Sequence, residues 1–237
     1  MRSTISYGLL RTVKFVSRLF CGYEMRWVGD VPADPWADIH LIAILNHTSL
    51  YEPVFAGGAP DRVLKSIARH GVVPLADKTA NRLLVGRFFK LVAEDVVPIT
   101  RERDHTWDAV LSRADRKDAV VVILPEGRMK RKSGLDQRGN PMTIRGGIAD
   151  VIRSIPEGRI LLVYSLGLHH IQAPGELIPR PFRTVSARLE TIEIEPYRSE
   201  LLRRRGEEGF KGAVIEDLTR RRDLYCYSGR PWIAGPG

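Results

Sequence analysis

Residues 42–52 of the chain read IAILNHTSLYE, and this stretch decides the fold prediction. Its apolar first half predicts a buried strand, and its polar second half predicts a turn into the start of a helix. His47 then stands at the carboxyl edge of a strand, where α/β proteins gather their functional groups. Glu52 follows at a spacing that lets its carboxylate hold one ring nitrogen while the other serves as a base. We therefore expect His47 and Glu52 to form a catalytic pair.

The same residues also fit a purely structural motif. Ser49-Leu50-Tyr51-Glu52 matches the S-x-x-E capping box, in which the Glu side chain reaches back to a backbone N–H at a helix start. In that arrangement Glu52 would have no catalytic role. A single His and Glu are more often explained by caps and packing, so the rest of the chain must decide between the two interpretations.

The composition is that of a globular protein, with 43% hydrophobic and 27% charged residues in a chain of 237. A chain of this length and apolar content can bury a large core without disulfides or metals. Its formal net charge of +9 implies an anionic partner. Nucleic acid, an anionic membrane surface and a phosphorylated substrate all fit, and charge alone does not choose among them.

We predict neither a metal site nor a membrane span. The two cysteines, Cys21 and Cys226, lie near opposite ends without metal-ligand spacing, which indicates reduced thiols of an intracellular protein. No apolar run approaches the ~18 residues that cross a bilayer. Arg11, Lys14 and Arg18 interrupt the region that a signal peptide would keep apolar, so we expect none.

Residues 4–20 predict an amphipathic helix with an apolar face and a basic face. The apolar face comprises Leu9, Val13, Val16 and Phe20, and the basic face comprises Arg11, Lys14 and Arg18. Such a helix suits the headgroup layer of a membrane, and packing against its own domain is an equally good alternative. We divide the chain into this helix, residues 1–22, and one domain, residues 23–237.

The remaining pattern alternates strands and helices, which predicts an α/β domain with a mostly parallel central sheet flanked by helices. Besides the strand that ends at His47, strands are predicted at 23–28, 63–67, 96–99, 119–124, 160–165 and 185–194, the last as an exposed edge strand. Helices are predicted from Ser49 and at 81–92, 104–116, 145–154 and 198–222. The helix at 81–92 is apolar nearly all round, so it packs in the core or lines a pocket for an alkyl chain.

Polar clusters follow three of these strands. They are His47, Arg101 with Arg103, and Glu126-Gly127-Arg128. The carboxyl ends of parallel strands meet at one edge of the sheet, so these clusters can share a site.

The motifs NHTSLYE, PITRER, LPEGRMKR and IRGG, in this order, resemble those of the glycerolipid acyltransferase family, the 1-acylglycerol-3-phosphate acyltransferases and their relatives. The resemblance covers roughly residues 27–196. The family's Asn-His with an acid five positions on is matched by Asn46, His47 and Glu52. Its Arg-bearing strand end is matched by Arg101 or Arg103. Its Pro-Glu-Gly followed by basic residues is matched by Pro125, Glu126, Gly127, Arg128 and Arg131.

Three positions depart from the usual family pattern. The acid is normally Asp, whereas Glu52 stands here, as in some relatives that acylate glycolipids or lipid A precursors. Arg128 follows Pro-Glu-Gly directly where the family often has Thr first. The Pro that the family usually has near Val163-Tyr164 is missing. These departures affect the prediction of which acceptor is used more than the prediction of acyl transfer.

The resemblance implies acyl transfer to a lipid hydroxyl from acyl-CoA or acyl carrier protein, without a metal or a further cofactor. His47 would be the general base and Glu52 its partner. The implied substrate-binding residues are Asn46, Arg101, Arg103, Glu126, Gly127, Arg128 and Arg145, in which the arginines and the backbone at Glu126-Gly127 hold phosphate. We expect a peripheral protein at the cytoplasmic face of a membrane that binds no nucleic acid.

Two other functions remain open at this point. A glycolipid or lipid A-type acyltransferase is favoured by Glu52. A non-enzymatic basic module would bind anionic lipid or nucleic acid through the Arg-rich runs at 203–205 and 220–222, although such runs are more often solvated faces.

Overall fold

A computed structural model describes residues 2–81, 83–100, 105–176 and 178–226 of the chain. Arg101 and Arg103, two of the predicted phosphate ligands, lie outside the described residues. In the rest, strands and helices alternate along most of the chain and form one domain.

The seven-stranded sheet confirms the α/β prediction. Its strands are β1 (Cys21–Trp27), β2 (Ile39–Leu45), β3 (Gly71–Ala76), β4 (Asp95–Ile99), β5 (Val120–Ile123), β6 (Arg159–Ser165) and β7 (Arg183–Glu193). They lie in the order β1-β7-β6-β2-β5-β3-β4. Neighbouring strands are parallel except β6 and β7, which are antiparallel. The sheet is therefore mostly parallel, with β1 and β7 running against the other five.

β2 lies at the centre of the sheet and is buried on both faces. Leu41, Ala43 and Leu45 join one hydrophobic core, and Ile42 and Ile44 join the other. This is why β2 is an unbroken apolar run instead of an alternating one. Burial on both sides also fixes where the strand must end, at the polar pair that follows Leu45.

Helices cover both faces of the sheet. They are α1 (Arg2–Phe20), a 3₁₀ helix (Glu52–Gly57), α2 (Asp61–His70), α3 (Asp77–Ala80), α4 (Leu83–Val92), α5 (His105–Ala114), α6 (Gly147–Ser154) and α7 (Ile194–Tyr225). α5, α6 and α7 pack on the core around Leu41. On the opposite side, α1, α2 and α4 share a smaller cluster that contains Leu10, Leu64 and Val92.

Two strand predictions are wrong. Residues 63–67 belong to α2, and the strand follows as β3, Gly71–Ala76. In α2 the buried residues Val63, Leu64 and Ala68 lie on one helical face, a periodicity that the short β-branched run concealed. The strand predicted at the sheet edge, β7, lies between β1 and β6, and the edge strands are β1 and β4.

The helix predicted from Ser49 is a six-residue 3₁₀ helix, Glu52–Gly57. α7 is also not continuous, because its backbone leaves the helical region at Gly206, with φ 66° and ψ −179°. The chain folds back there, since the hydroxyl of Tyr197 donates to Oδ2 of Asp217 at 3.0 Å, twenty positions further along the chain. Glycine tolerates this left-handed φ without the clash a Cβ would cause.

α1 packs with its cations facing the domain. The ammonium of Lys14 contacts Asp61 and the carbonyl of Ala59, and Nε of Arg18 donates to the carbonyl of Gly57 at 2.7 Å. The predicted basic face is therefore largely engaged within the protein. Large apolar side chains of α1 point outward instead, namely Ile5, Phe15, Val16, Leu19 and Phe20.

The end of α1 is directly continuous with the sheet. β1 starts at Cys21, so the boundary predicted after residue 22 falls inside this strand. Within the described residues, no helix is long and apolar enough to cross a membrane.

Candidate active site

The turn after β2 begins at Asn46, whose φ of 65° is left-handed. Asn adopts this conformation more readily than other non-glycine residues. The backbone N–H of Asn46 donates to Oε1 of Glu126 at 2.7 Å, and its side-chain amide donates to the carbonyl of Ser165 at 2.9 Å. These bonds tie the turn to the residues that follow β5 and to the end of β6. The side chain of Asn46 therefore positions the turn, and its predicted contact with substrate stays a prediction.

His47 and Glu52 lie together as the sequence predicts. Nδ1 of His47 is 3.0 Å from Oε1 of Glu52, and the two side chains are 14% and 5% exposed. The ring N–H does not point along this contact, so Nδ1 makes no well-aligned hydrogen bond to a described residue. Catalytic hydrogen bonds often align only when substrate binds.

Glu52 serves the structural motif and the pair at the same time. Its Oε1 also accepts the backbone N–H groups of Thr48 and Ser49, both at 3.0 Å. The bond to Ser49 is one half of the predicted capping box, whereas Oγ of Ser49 accepts from the N–H of Tyr51. The two interpretations of Glu52 are thus compatible, because one oxygen fixes the turn and faces the imidazole.

Glu126 points into the protein. It is 1% exposed, and burial raises the pKa of its carboxyl above the ordinary value. Its side chain supports the backbone of Asn46, and the cavity described below is lined by its neighbours Pro125 and Gly127. The predicted contact of Glu126 with substrate stays a prediction. The predicted backbone contact of phosphate with Gly127, whose φ is 61°, stays a prediction.

Arg128 is held in place by a buried carboxylate that the sequence analysis missed. Its guanidinium donates to Asp136, which is 4% exposed. Asp136 also accepts the backbone N–H groups of Asn140 and Arg138, at 2.9 and 2.7 Å. These donors and the Arg128 cation hold the pKa of Asp136 well below its usual range. The only sequence signal is a turn pattern, Asp136 followed by Gly139-Asn140.

A large cavity opens at His47. Its volume is about 770 Å³, within the usual range for ligand pockets. One part is apolar and runs beneath the 3₁₀ helix, α2 and α4, lined by residues that include Ile42, Ile44, Phe55, Val63, Phe89, Val92 and Val163. α4 therefore both packs in the core and lines a pocket, as its apolar character allowed.

The other part of the cavity is basic. Three cations and one acid line it at the carboxyl edge of the sheet, namely Arg128, Arg145, Lys211 and Asp150. Lys211 comes from the second half of α7 and lies 3.1 Å from Asp150. No sequence motif marked Lys211, because it reaches the site only through the fold-back of α7. We call the apolar part of the cavity the apolar chamber and the basic part the cationic mouth, and His47 lines the same cavity.

The loop between β6 and β7 supports the turn that carries His47. The N–H of Leu168 donates to Oγ1 of Thr48 at 2.8 Å, and the hydroxyl of Ser49 donates to Oε1 of Gln172. Thr48, Ser49 and Gln172 are all buried. The loop lies about 120 positions from the turn in the sequence, so no local pattern could reveal this support.

Cys21 lies on β1, whereas Sγ of Cys226 is 4.0 Å from the carbonyl of Leu45, the residue before the turn. Both are free, and burial raises the pKa of the Cys226 thiol. Within the part of the chain that the structure describes, no cluster of His, Cys, Asp and Glu side chains is grouped as a metal ion needs.

Comparison with known proteins identifies a solved structure with a similar fold. No model of a known protein family matches the chain, and no curated protein sequence matches it. Among solved structures, the 1-acyl-sn-glycerophosphate (LPA) acyltransferase PlsC from Thermotoga maritima is similar, with a TM-score of 0.57 and 14% sequence identity. The alignment covers 97% of this chain and 82% of that one. At this identity the likeness establishes a shared fold.

Proposed function

We propose that the protein is an O-acyltransferase. It moves a fatty acyl group from acyl-CoA or acyl carrier protein to the hydroxyl of a lysophospholipid such as 1-acylglycerol-3-phosphate. The observation that carries the proposal is the 3.0 Å contact between Nδ1 of His47 and Oε1 of Glu52, made in the cavity that contains the apolar chamber and the cationic mouth. The fold shared with an LPA acyltransferase supports the same reaction class.

His47 acts as the general base. Nε2 removes the proton from the acceptor hydroxyl as its oxygen attacks the thioester carbonyl. The tetrahedral intermediate collapses, the carbon–sulfur bond breaks, and the leaving thiolate receives the proton from His47. The acyl group passes directly to the acceptor, so no side chain is acylated.

Glu52 makes His47 effective as a base. Its carboxylate selects the tautomer in which Nε2 is free, and it stabilises the imidazolium that forms during transfer. Two backbone N–H groups hold Oε1 in place, and the residue is 5% exposed. A carboxylate fixed in this way needs little reorganisation when charge develops.

The apolar chamber suits an alkyl chain, and the cationic mouth suits the phosphate of the acceptor. The apolar chamber accepts an alkyl chain, because its lining removes hydrocarbon from water. Arg128, Arg145 and Lys211 bind phosphate at the mouth, where guanidinium groups form paired hydrogen bonds with its oxygens. Arg101 and Arg103 would join them by the family resemblance.

The protein works as a peripheral enzyme at the cytoplasmic face of a membrane. Phe15 and Leu19 on the outward face of α1 are 70% and 59% exposed, which suits insertion among lipid headgroups. A lipid acceptor would then reach the mouth without crossing water. Nucleic acid is not a partner.

The two alternatives differ in their support. A glycolipid or lipid A-type acceptor is favoured by Glu52 in place of Asp. A basic binding module is disfavoured, because arginines of both Arg-rich runs pair with carboxylates of α7 itself. These pairs are Arg203 and Arg204 with Glu200, Arg205 with Glu216, and Arg220 with Asp217.

The test is transfer of a labelled acyl group to a panel of acceptors. Acyl-CoA and acyl carrier protein are each offered with lysophosphatidic acid, other lysophospholipids, a glycolipid and a lipid A precursor. We expect transfer to a phosphate-bearing acceptor that depends on His47. Absence of transfer to every acceptor, from both donors, would overturn the proposal.

A further inference from the structure

The loop between β6 and β7 exposes apolar side chains to solvent. Ile178 and Phe182 are 81% and 78% exposed, more than any other large apolar residue that the structure describes. Isolated exposed hydrophobic residues are common, but clustered ones mark an interaction surface. The neighbours of this pair decide which case applies.

The exposure of Phe182 results from its backbone conformation. Its φ of 58° is left-handed, a conformation that bulky residues rarely adopt. Its N–H donates to the carbonyl of Phe20 at 2.6 Å, and the two rings lie 6.1 Å apart. Phe182 therefore extends the outward face of α1, and Ile178 is exposed four positions earlier in the same loop. We call Phe15, Leu19, Phe20, Ile178 and Phe182 the outer patch.

The sheet topology puts this patch on the side of the molecule toward which the carboxyl end of β2 points. Cys21, which follows Phe20, pairs with Arg183, which follows Phe182. β1 and β7 run against β2, and the register aligns Leu45, the last residue of β2, with Tyr164, Arg188 and Arg26. Cys21 lies five positions before Arg26, so the patch begins about 17 Å beyond the end of β2 along the strands and about 14 Å to its side.

The charges beside the outer patch indicate what binds to it. Arg183 is exposed and has no acidic partner among the described residues, whereas Arg180, in the same loop and 43% exposed, is paired with Glu176. The whole chain carries a net charge of +9. Apolar residues bordered by cations match an anionic bilayer, in which acyl chains lie behind negatively charged headgroups.

The same loop is hydrogen-bonded to the turn that carries His47. Near its tip, the N–H of Arg180 donates to the carbonyl of Ile171 at 2.7 Å, and the amide of Gln172 donates to the carbonyl of Glu176 at 2.7 Å. Gln172 in turn accepts from the hydroxyl of Ser49, within the turn. A short series of bonds thus joins the exposed tip to the residues around His47.

We propose that the β6–β7 loop docks on an anionic bilayer through Ile178 and Phe182, beside α1, and that docking orders the His47 turn. The second half rests on the proposed acyltransferase function. Binding of the loop to the membrane would thus promote acyl transfer at the surface that contains the lipid acceptor.

Docking is tested without any assay of activity. The variant Ile178→Ser/Phe182→Ser is sedimented with vesicles of phosphatidylglycerol and phosphatidylcholine, next to the wild type and Val31→Ser. Val31 is 51% exposed and lies between β1 and β2, outside the outer patch, so it is the matched control. We expect at least tenfold weaker partition for the double variant and unchanged partition for Val31→Ser.

A second, milder variant distinguishes lost membrane binding from misfolding. Ile178→Ser alone alters a side chain that is 81% exposed, so its fold should not change, and it should partition between the wild type and the double variant. Partition of Ile178→Ser and the double variant at the wild-type level would overturn docking. So would wild-type protein that does not bind the vesicles at all.

The ordering of the turn is tested with a soluble short-chain acceptor. The rate is measured with and without vesicles that contain no acceptor, and the ratio of the two rates is compared between variants. We expect a ratio above one for the wild type and Val31→Ser, and near one for the double variant. Equal ratios in all three would overturn the ordering step. If no acceptor is acylated, the acyltransferase proposal fails, and sedimentation still decides docking.

Discussion

The backbone N–H of Asn46 donates to Oε1 of Glu126 at 2.7 Å, although eighty positions separate the two residues in the chain. This bond joins the turn after β2 to the turn after β5. It stabilises the left-handed backbone of Asn46, and His47 projects from the next position. The position of the proposed base therefore depends on a carboxylate that does not itself face the cavity.

Replacing His47 by alanine should remove the reaction and leave the fold. The expected loss is ~10²–10⁴ in rate, the scale for a missing general base. His47 makes no well-aligned side-chain hydrogen bond to a described residue, so the melting temperature should stay close to that of the wild type. Near-normal transfer by folded His47→Ala would exclude the mechanism.

Glu52→Gln removes the charge of the Glu52 side chain but keeps an oxygen that can fix the turn. The amide oxygen can still accept from Thr48 and Ser49, so the melting temperature should change little, while the rate falls because the imidazolium loses its counter-charge. Glu52→Ala leaves those N–H groups unpaired and should also cost about 1–3 kcal/mol of stability. Unchanged turnover in Glu52→Gln would mean that Glu52 serves only to fix the turn.

Glu126→Gln should alter the dependence of stability on pH. Burial raises the pKa of Glu126 above its value of 4.5 in the unfolded chain. The folded state therefore favours the protonated form, and the wild type loses stability as pH rises through the folded pKa. Gln cannot ionise, so the variant should gain stability relative to the wild type from pH 5 to pH 8 in urea unfolding. A constant difference across that range would contradict the assignment.

Asp136→Asn should weaken binding more than chemistry. Arg128 would lose its ionic partner, so we expect a raised KM for a phosphate-bearing acceptor with a smaller change in kcat. The pKa of Asp136 is lowered from 3.8, so its stabilising contribution is present at neutral pH and lost as pH falls through the folded pKa. The exposed Asp115→Asn is the control. Equal KM values for the two variants would argue against a role in holding Arg128.

Phe15→Ser/Leu19→Ser should reduce binding to anionic vesicles at least tenfold, because a large apolar side chain contributes about 1.5–3 kcal/mol when buried. Deleting α1 would be a poorer test, since Leu10 packs with Leu64 in the core. Added salt should weaken binding through the exposed Arg183 and not through Lys14 and Arg18, because those two already bind the domain. Leu224→Ser, 41% exposed on α7, is the control, and sedimentation equal to it would refute insertion of α1.

Much of the architecture could be predicted because it is encoded locally. The unbroken apolar run of β2, the polar pair after it and the alternation of strands and helices indicate a mostly parallel sheet with its chemistry at one edge. Where the local signal was ambiguous, as at residues 63–67, the prediction was wrong. A short β-branched run fits one face of a helix as well as a strand, and only packing on Leu10 and Phe89 decides between them.

By itself, the sequence determined the class of the fold and the proximity of His47 to Glu52, since both depend on contiguous residues. Tertiary structure alone decided that Glu126 points inward, that Asp136 holds Arg128, and that Lys211 reaches the cavity. It also turned Lys14 and Arg18 of α1 toward the domain and Phe15 and Phe20 outward. The physical reason is the same in each case. The direction of a side chain at a strand end or on a helix face depends on what packs beside it, and those neighbours come from distant parts of the chain.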